Sequence, residues 1–311
     1  MPHPSQARRR AFLRGALALA VAPWIASPRP PLAAPGADAT APLPPILKPI
    51  PSSGERLPAV GLGTAGFRAN LAEDIRAEIR RMSELGGSVI DTAAAYGDSE
   101  ALIGQALAAT GLRERIFLAT KLVADDGPDS FARSLQRLQT QRIDLLQVHN
   151  LNGVAAILPR MQEWKKAGRI RYLGVTTSRA SQHAELLGVM RDFPLDFIQV
   201  DYSLGNRAAA QDVLPLALER RLAVLVNLPF GRSSLFRQVG ERPLPPWAAD
   251  IDVASWGQYF LKYVISHPAV TCAIPGSTRV EHLQDNQGAG RGRLPDAATR
   301  RRMEEYWDNK T

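Results

Sequence analysis

A single cysteine, Cys272, stands among 311 residues, so no intramolecular disulfide can form, and no Cys/His grouping has the spacing of a structural zinc site. Packing alone must hold the fold. The apolar stretch near the N-terminus, from about Gly15 to Ala26, is too short to cross a bilayer comfortably. No Lys/Arg stripe interleaved with aromatics marks a nucleic-acid surface. Neither a stable membrane anchor nor a nucleic-acid partner is therefore expected. No GxGxxG opens a helix after a strand either: GLGTAG at 61–66 has the glycines without the apolar helix start that should follow them, which argues against a doubly wound sheet.

What is present is a globular composition, 45% hydrophobic and 22% charged, enough for one large domain or two small ones. The net charge is +8, but five arginines and one acidic residue lie within the first 39 residues, so without that segment the charge falls to +4. The opening MPHPSQARRRAFLRGALALAVAPWIASPRP runs from a basic segment to an apolar one and then to small residues, the order of a signal peptide. ARRRAFLRG resembles the twin-arginine export motif, with Arg9 and Arg10 as the pair, Phe12 and Leu13 behind them, and Arg14 where a lysine is usual. Ala37-Asp38-Ala39 offers a cleavage site, and Ala33-Ala34 offers another nearby. Ten prolines between Pro23 and Pro51 prevent a continuous helix and suggest an extended tether. The expected organisation is a twin-arginine signal peptide at 1–39, a Pro-rich linker at 40–45 and a globular domain at 46–311. Its expected destination is the periplasm or the medium, reached folded through the twin-arginine export machinery.

From Leu57 onward, β-branched runs alternate with helical patterns, as repeated βα units around a parallel sheet do. Eight strands are predicted, at 59–63, 88–91, 116–121, 143–148, 170–175, 196–200, 222–227 and 270–274. Helices are predicted near 72–85, 98–109, 129–139, 154–166, 179–190, 208–220, 254–266 and 279–287. In the first helix Leu71, Ile75, Ile79, Met82 and Leu85 recur three or four apart and would share one face. The stretch from Phe230 to Val253 reads as a long irregular loop, and PIPSSGERLP as a hairpin that plugs the N-terminal end. Eight units in this length fit a single (β/α)8 TIM barrel of the α/β class, preceded by a short N-terminal β-hairpin.

Reactive groups of such a barrel sit at the C-terminal ends of its strands. Asp91 ends the second predicted strand, Tyr96 follows five residues later, Lys121 ends the third, and His149 follows the fourth. Each alone has an ordinary explanation as a cap, a packed ring, a snorkelling amine or a loop hydrogen bond. Together they place a carboxylate, a phenol, an amine and an imidazole at one end of adjacent strands. A phenol ordinarily holds its proton until about pH 10, and a neighbouring ammonium eases its release. Lys121 can supply that field, Asp91 can keep the lysine charged, and His149 can orient a carbonyl oxygen toward Tyr96.

These residues resemble the aldo-keto reductase family. VIDTAAAYGDSEALIGQAL at 89–107 is similar to the family's second strand and loop, with Glu100 and Gly104 in the flanking pattern; FLATKL carries the lysine and IDLLQVHN the histidine. The resemblance spans roughly residues 46–290. It implies an NADP(H)-dependent oxidoreductase that interconverts carbonyls and alcohols by hydride transfer, with Tyr96 as general acid and NADP(H) preferred over NAD(H). A non-catalytic nicotinamide-nucleotide binder or sensor on the same barrel is the alternative.

NLPFGRSSL at 227–235 and AIPGSTRVEHLQDNQGA at 273–289 are similar to the family's seventh- and eighth-strand cofactor segments. The resemblance implies that Gly276, Ser277, Thr278 and Arg279 meet the adenosine 2′-phosphate, and that Glu281, His282 and Asn286 flank the ribose and adenine. Gln199 would hold the nicotinamide amide, with Thr64, Asp91, Thr176, Thr177, Tyr202 and Pro229 as further cofactor contacts. A Gly-Ser-Thr turn leading into a helix is physically suited to an anion, and Arg279 adds a charge-assisted pair. Two positions depart from the pattern. Thr177 replaces a common asparagine that grips the carboxamide, and Asn227 replaces an aromatic that stacks on the nicotinamide, a loss that Tyr202 could compensate. Phe67, Asn150, Leu151, Phe230 and Trp256 are expected to line a largely apolar substrate pocket.

Overall fold

The computed structural model describes residues 43–124 and 129–309. The expected leader at 1–39 and the first residues of the expected linker lie outside them. The compact unit described here begins at Leu43.

Eight parallel strands follow one another in sequence order: β3 (Leu62–Gly63), β4 (Val89–Asp91), β5 (Phe117–Leu122), β6 (Ile143–Val148), β7 (Ile170–Thr176), β8 (Phe197–Asp201), β9 (Ala223–Asn227) and β10 (Cys272–Ala273). Every residue of β5, β6 and β8 is buried, as expected of strands enclosed on both faces. The first and last strands meet through parallel bridges, Val60 with Ala273 and Gly63 with Gly276. Gly61 N donates to Ala273 O at 2.8 Å and Ala273 N to Ala59 O at 2.9 Å, closing the (β/α)8 barrel. Close approach at this seam needs a glycine: a Cβ at Gly63 would lie 2.7 Å from the Ile274 carbonyl oxygen.

Helices α1 (Ala72–Glu84), α2 (Ser99–Thr110), α3 (Ser130–Arg137), α4 (Val154–Lys166), α5 (His183–Asp192) and α6 (Val213–Glu219) follow the first six barrel strands. Ile75, Ile79 and Met82 of α1 are fully buried, while the flanking Leu71 and Leu85 are half-buried. After β9 the chain forms α7 (Ser234–Val239) and α8 (Trp256–Ile265); α9 (Val280–Ala289) follows β10, and α10 (Ala297–Asp308) ends the fold.

Two features depart from expectation. The irregular stretch after Phe230 contains α7 and a 3₁₀ segment at Pro246–Ile251, and the C-terminal helix α10 was not anticipated. Asp296 caps α10 by accepting from Thr299 N at 2.7 Å. The helix buries Met303 and Trp307, and Arg300 donates to the Tyr202 hydroxyl at 2.7 Å.

The predicted hairpin is β1 (Leu47–Pro49) paired with β2 (Arg56–Pro58), and its turn carries Gly54 at φ 77°, a conformation that favours glycine. Ile50 and Leu57 pack into an interior cluster with Val89, Phe117, Leu145, Tyr172, Phe197, Leu225 and Cys272. The Tyr172 hydroxyl donates to Glu55 Oε2 and accepts from Ser53 Oγ, both at 2.7 Å. The N-terminal mouth is thus filled by side chains and pinned by hydrogen bonds.

Candidate active site

At the opposite mouth lies a cavity of about 540 Å³. All eight barrel strands deliver residues to this end. Gly63 and Thr64 come from the end of β3, Asp91 from β4 and Lys121 from β5. His149 follows β6, Thr176 ends β7, Gln199 lies in β8, Asn227 ends β9, and Gly276 follows β10.

The floor is organised around Asp91, which is 3% exposed. Lys121 Nζ lies 2.5 Å from Asp91 Oδ2 and donates to the Thr92 carbonyl at 2.8 Å. Gln199 Nε2 donates to Asp91 Oδ1 at 2.8 Å, and Gln147 Nε2 does so at 3.3 Å. Burial alone would lower the affinity of Lys121 for its proton, but attraction to the Asp91 carboxylate and the Tyr96 oxygen and hydrogen bonds with both reverse this, leaving its pKa raised. The ammonium is therefore charged, 5.0 Å from the centre of the Tyr96 ring. Tyr96 is half-buried and lines the cavity. Its ring meets that of His149 edge-on, with centroids 5.7 Å apart and planes at 82°. Asp91, Tyr96, Lys121 and His149 thus converge as their spacing predicts.

Hydroxyl groups stiffen the surrounding loops. Ser99 Oγ donates to Thr64 Oγ1 at 2.8 Å, and Thr64 Oγ1 donates to the Asp91 carbonyl at 3.0 Å. Thr176 Oγ1 accepts from Asn150 N at 2.9 Å, holding Asn150 at φ 51° beside the cavity. Glu100 is buried, accepting from Thr120 Oγ1 at 2.7 Å and pairing with Arg137 at 3.3 Å.

The cavity wall includes Thr64, Asn150, Thr176, Gln199, Pro229, Phe230 and Gly276 from the expected set. It does not include Phe67, Leu151, Trp256, Thr177 or Tyr202. Phe67 and Leu151 are turned into the hydrophobic core, so the expected apolar wall rests on Phe230 together with Leu228, Pro229 and Ile274. Trp256 packs against Tyr259 and Phe260 and donates through Nε1 to the Arg242 carbonyl at 2.9 Å. Tyr202 is 1% exposed, its hydroxyl bonded to Tyr263 at 3.1 Å and to Arg300, so it points toward α10 and offers no ring to the cavity. Thr177 Oγ1 is engaged with Gln182 Oε1 at 2.8 Å and Arg179 N at 3.1 Å.

The turn Gly276–Thr278 leads from β10 into α9. Gly276 is exposed on the cavity wall, Ser277 is buried, and Ser277 Oγ accepts from Arg279 N at 3.2 Å. Arg279 is exposed and lies 3.7 Å from Glu281. His282 is exposed beside Glu281, while Asn286 is buried on the inner side of α9. Gln147 was not anticipated, although it lies two residues before His149 and hence on the same face of the chain.

An eight-stranded barrel with a phenol, a charged lysine, a carboxylate and an imidazole at its C-terminal mouth is the framework of a proton-transferring enzyme. The model of the Aldo/keto reductase family matches residues 59–304, and the chain belongs to that family. It is 32% identical over 242 residues to the methylglyoxal reductase YeaE of Escherichia coli (strain K12), covering 74% of this chain and 84% of that one. It is 27% identical over 309 residues to the aldo-keto reductase yakc [NADP(+)] of Schizosaccharomyces pombe, covering 82% and 90%. Among solved structures, an aldo-keto reductase from Klebsiella pneumoniae in complex with NADPH superposes with a TM-score of 0.71 at 26% identity, covering 86% of this chain and 98% of that one.

Proposed function

We propose that this chain is an NADP(H)-dependent oxidoreductase that reduces aldehyde and ketone carbonyls to alcohols, or runs the reverse reaction, with Tyr96 as the general acid. The observation that carries this reading is the Asp91–Lys121 pair set against Tyr96 and His149 on the cavity floor. Kinship with the NADP(+)-linked yakc and the NADPH-bound Klebsiella structure supports the choice of cofactor.

The residues present fit a nicotinamide dinucleotide. Gly276 and the side-chain amides of Asn150, Gln199 and Asn227 line the cavity, and the exposed Arg279 follows Gly276 by three residues, outside the lining. Gly276, Ser277, Thr278 and Arg279 would hold the 2′-phosphate; Glu281, His282 and Asn286 would flank the adenosine. Thr64, Thr176, Gln199 and Pro229 would face the nicotinamide half. NADPH supplies the hydride when bound. His149 directs the carbonyl oxygen toward Tyr96, and the Tyr96 hydroxyl gives its proton to that oxygen as negative charge builds there. Lys121 steadies the phenolate left behind, and Asp91 keeps Lys121 charged.

The test is turnover of small aldehydes and diketones, followed by the absorbance of reduced nicotinamide. Tyr96→Phe removes one hydroxyl and keeps the ring, so folding and nucleotide binding should persist while turnover falls on the order of 10³-fold. Near-parental turnover on any substrate would sink the tyrosine-acid mechanism.

The leader supports a second part of the proposal: export of the folded protein by the twin-arginine machinery to the periplasm or beyond. A prefolded reporter fused to residues 1–45 should cross the inner membrane, and Arg9→Lys with Arg10→Lys should stop it. Export indifferent to that double change would remove the twin-arginine assignment.

A further inference from the structure

The end of β9 presents Asn227, Leu228 and Pro229 to the cavity, with Phe230 beyond them, so the last residue of the strand offers an amide and not an aromatic ring. Thr177, one strand end away, has its hydroxyl committed to Gln182 and Arg179. Neither residue can serve a nicotinamide ring as a stacking platform. Asn227 does something else. Its Nδ2 donates to the Thr177 carbonyl at 3.0 Å and to Gln199 Oε1 at 3.4 Å.

Both of those partners are acceptors, which settles the orientation of the amide: turned over, it would set oxygen against oxygen twice. Gln199 is oriented in the same way, because its Nε2 faces the Asp91 carboxylate at 2.8 Å. The donors therefore run in one direction, from Asn227 to Gln199 to Asp91, where they meet the proton of Lys121. Asn227 Oδ1 remains buried without a partner.

We propose that Asn227 is a positioning residue for the nicotinamide, fixing the Gln199 amide against Asp91 so that a relay of side-chain amides sets the orientation of the ring. This rests on the NADP(H) reading above. A polar relay is directional and stiff, so it can replace stacking in defining the ring's attitude, and it ties that attitude to the Asp91–Lys121 pair that serves Tyr96.

The experiment is calorimetric titration of the wild type, Asn227→Leu and Asn227→Asp with NADP⁺ and with adenosine 2′,5′-bisphosphate, which lacks the nicotinamide half. Leucine removes the donor; aspartate keeps the size but places oxygen against two acceptors. Both variants should bind NADP⁺ about tenfold or more weakly, with the bisphosphate within about twofold of wild type. Wild-type affinity for NADP⁺ in the aspartate variant would overturn the relay, as would equal weakening of both ligands. Should the variants not fold, the wild type decides: NADP⁺, but not the bisphosphate, should shift the side-chain amide resonances of Asn227 and Gln199, and unmoved resonances would overturn the proposal. A wild type that binds neither nucleotide would remove the NADP(H) reading and the relay together; tight NADP⁺ binding indifferent to Asn227 would remove the relay alone.

Discussion

The two mouths of this barrel are built from the same eight strands and differ in almost everything else. At the N-terminal mouth, Ile50 and Leu57 of the hairpin meet Phe117, Tyr172 and Phe197 in a buried apolar cluster, the three rings 5.5 to 5.9 Å apart. At the C-terminal mouth a buried ion pair, side-chain amides and the left-handed residues Asn150, Leu228, Arg232 and Ser233 surround an open cavity. At the plugged end the apolar cluster is rimmed by Asp144, paired with Arg113 and Arg171, whereas the cavity end holds its buried ion pair at the centre, among strained backbone. A substitution at the plug should therefore change stability without changing chemistry, and one at the cavity should be able to do both.

The sharpest way to break that contrast is at Lys121. Lys121→Met should lower turnover as far as Tyr96→Phe does, and the double variant should be little worse than either, because the two act as a unit. Unlike Tyr96→Phe, it strands the Asp91 carboxylate in the interior, which costs about 3–5 kcal/mol. Adding Asp91→Asn should restore much of the denaturation midpoint while leaving turnover lost. If turnover returned with stability, the ion pair would be structural.

Ile50→Ala at the plug should cost about 2–4 kcal/mol through lost burial and the cavity left behind, read from chemical denaturation, with turnover per folded molecule unchanged. A loss of turnover there would mean that the two mouths are coupled.

The smallest expected effect concerns Glu78. It sits fully buried on α1. Burial pushes its pKa up to about 7; Ser277 offsets part of the rise and Asp74 adds to it. A carboxyl with a raised folded pKa contributes stability that is fully present below its unfolded value, near 4.5, and is lost as pH rises through about 7. Glu78→Gln should match the wild type at about pH 5 and exceed it by on the order of 2 kcal/mol at about pH 8. Equal stabilities at both pH values would show that Glu78 ionises as freely in the folded protein as in the unfolded chain.

Much of this contrast was legible in the sequence. Strand β6 falls on the predicted residues, β5 is shifted by one residue and β7 runs one residue longer, because apolar runs that follow a basic residue leave few alternatives. Asp91, Tyr96, Lys121 and His149 were legible because strand ends fix which mouth they face. The directions of single side chains were not. Leu151 enters the core because φ at Asn150 and Leu151 is positive, which spacing does not reveal. Tyr202 turns toward Tyr263 and Arg300, a destination that exists only once α10 has docked. Short α7 and polar-faced α10 escaped a reading that looked for apolar periodicity.

The seam between β3 and β10 gives the cavity a mechanical meaning. These are the two shortest strands, of two residues each, and the cavity wall straddles them through Gly63 to Gly66 on one side and Ile274 and Gly276 on the other. Any molecule seated there acts as a stitch across the weakest join of the barrel. Its arrival should slow amide exchange at Gly61, Gly63 and Ala273, so that the enzyme is sewn shut by what it binds.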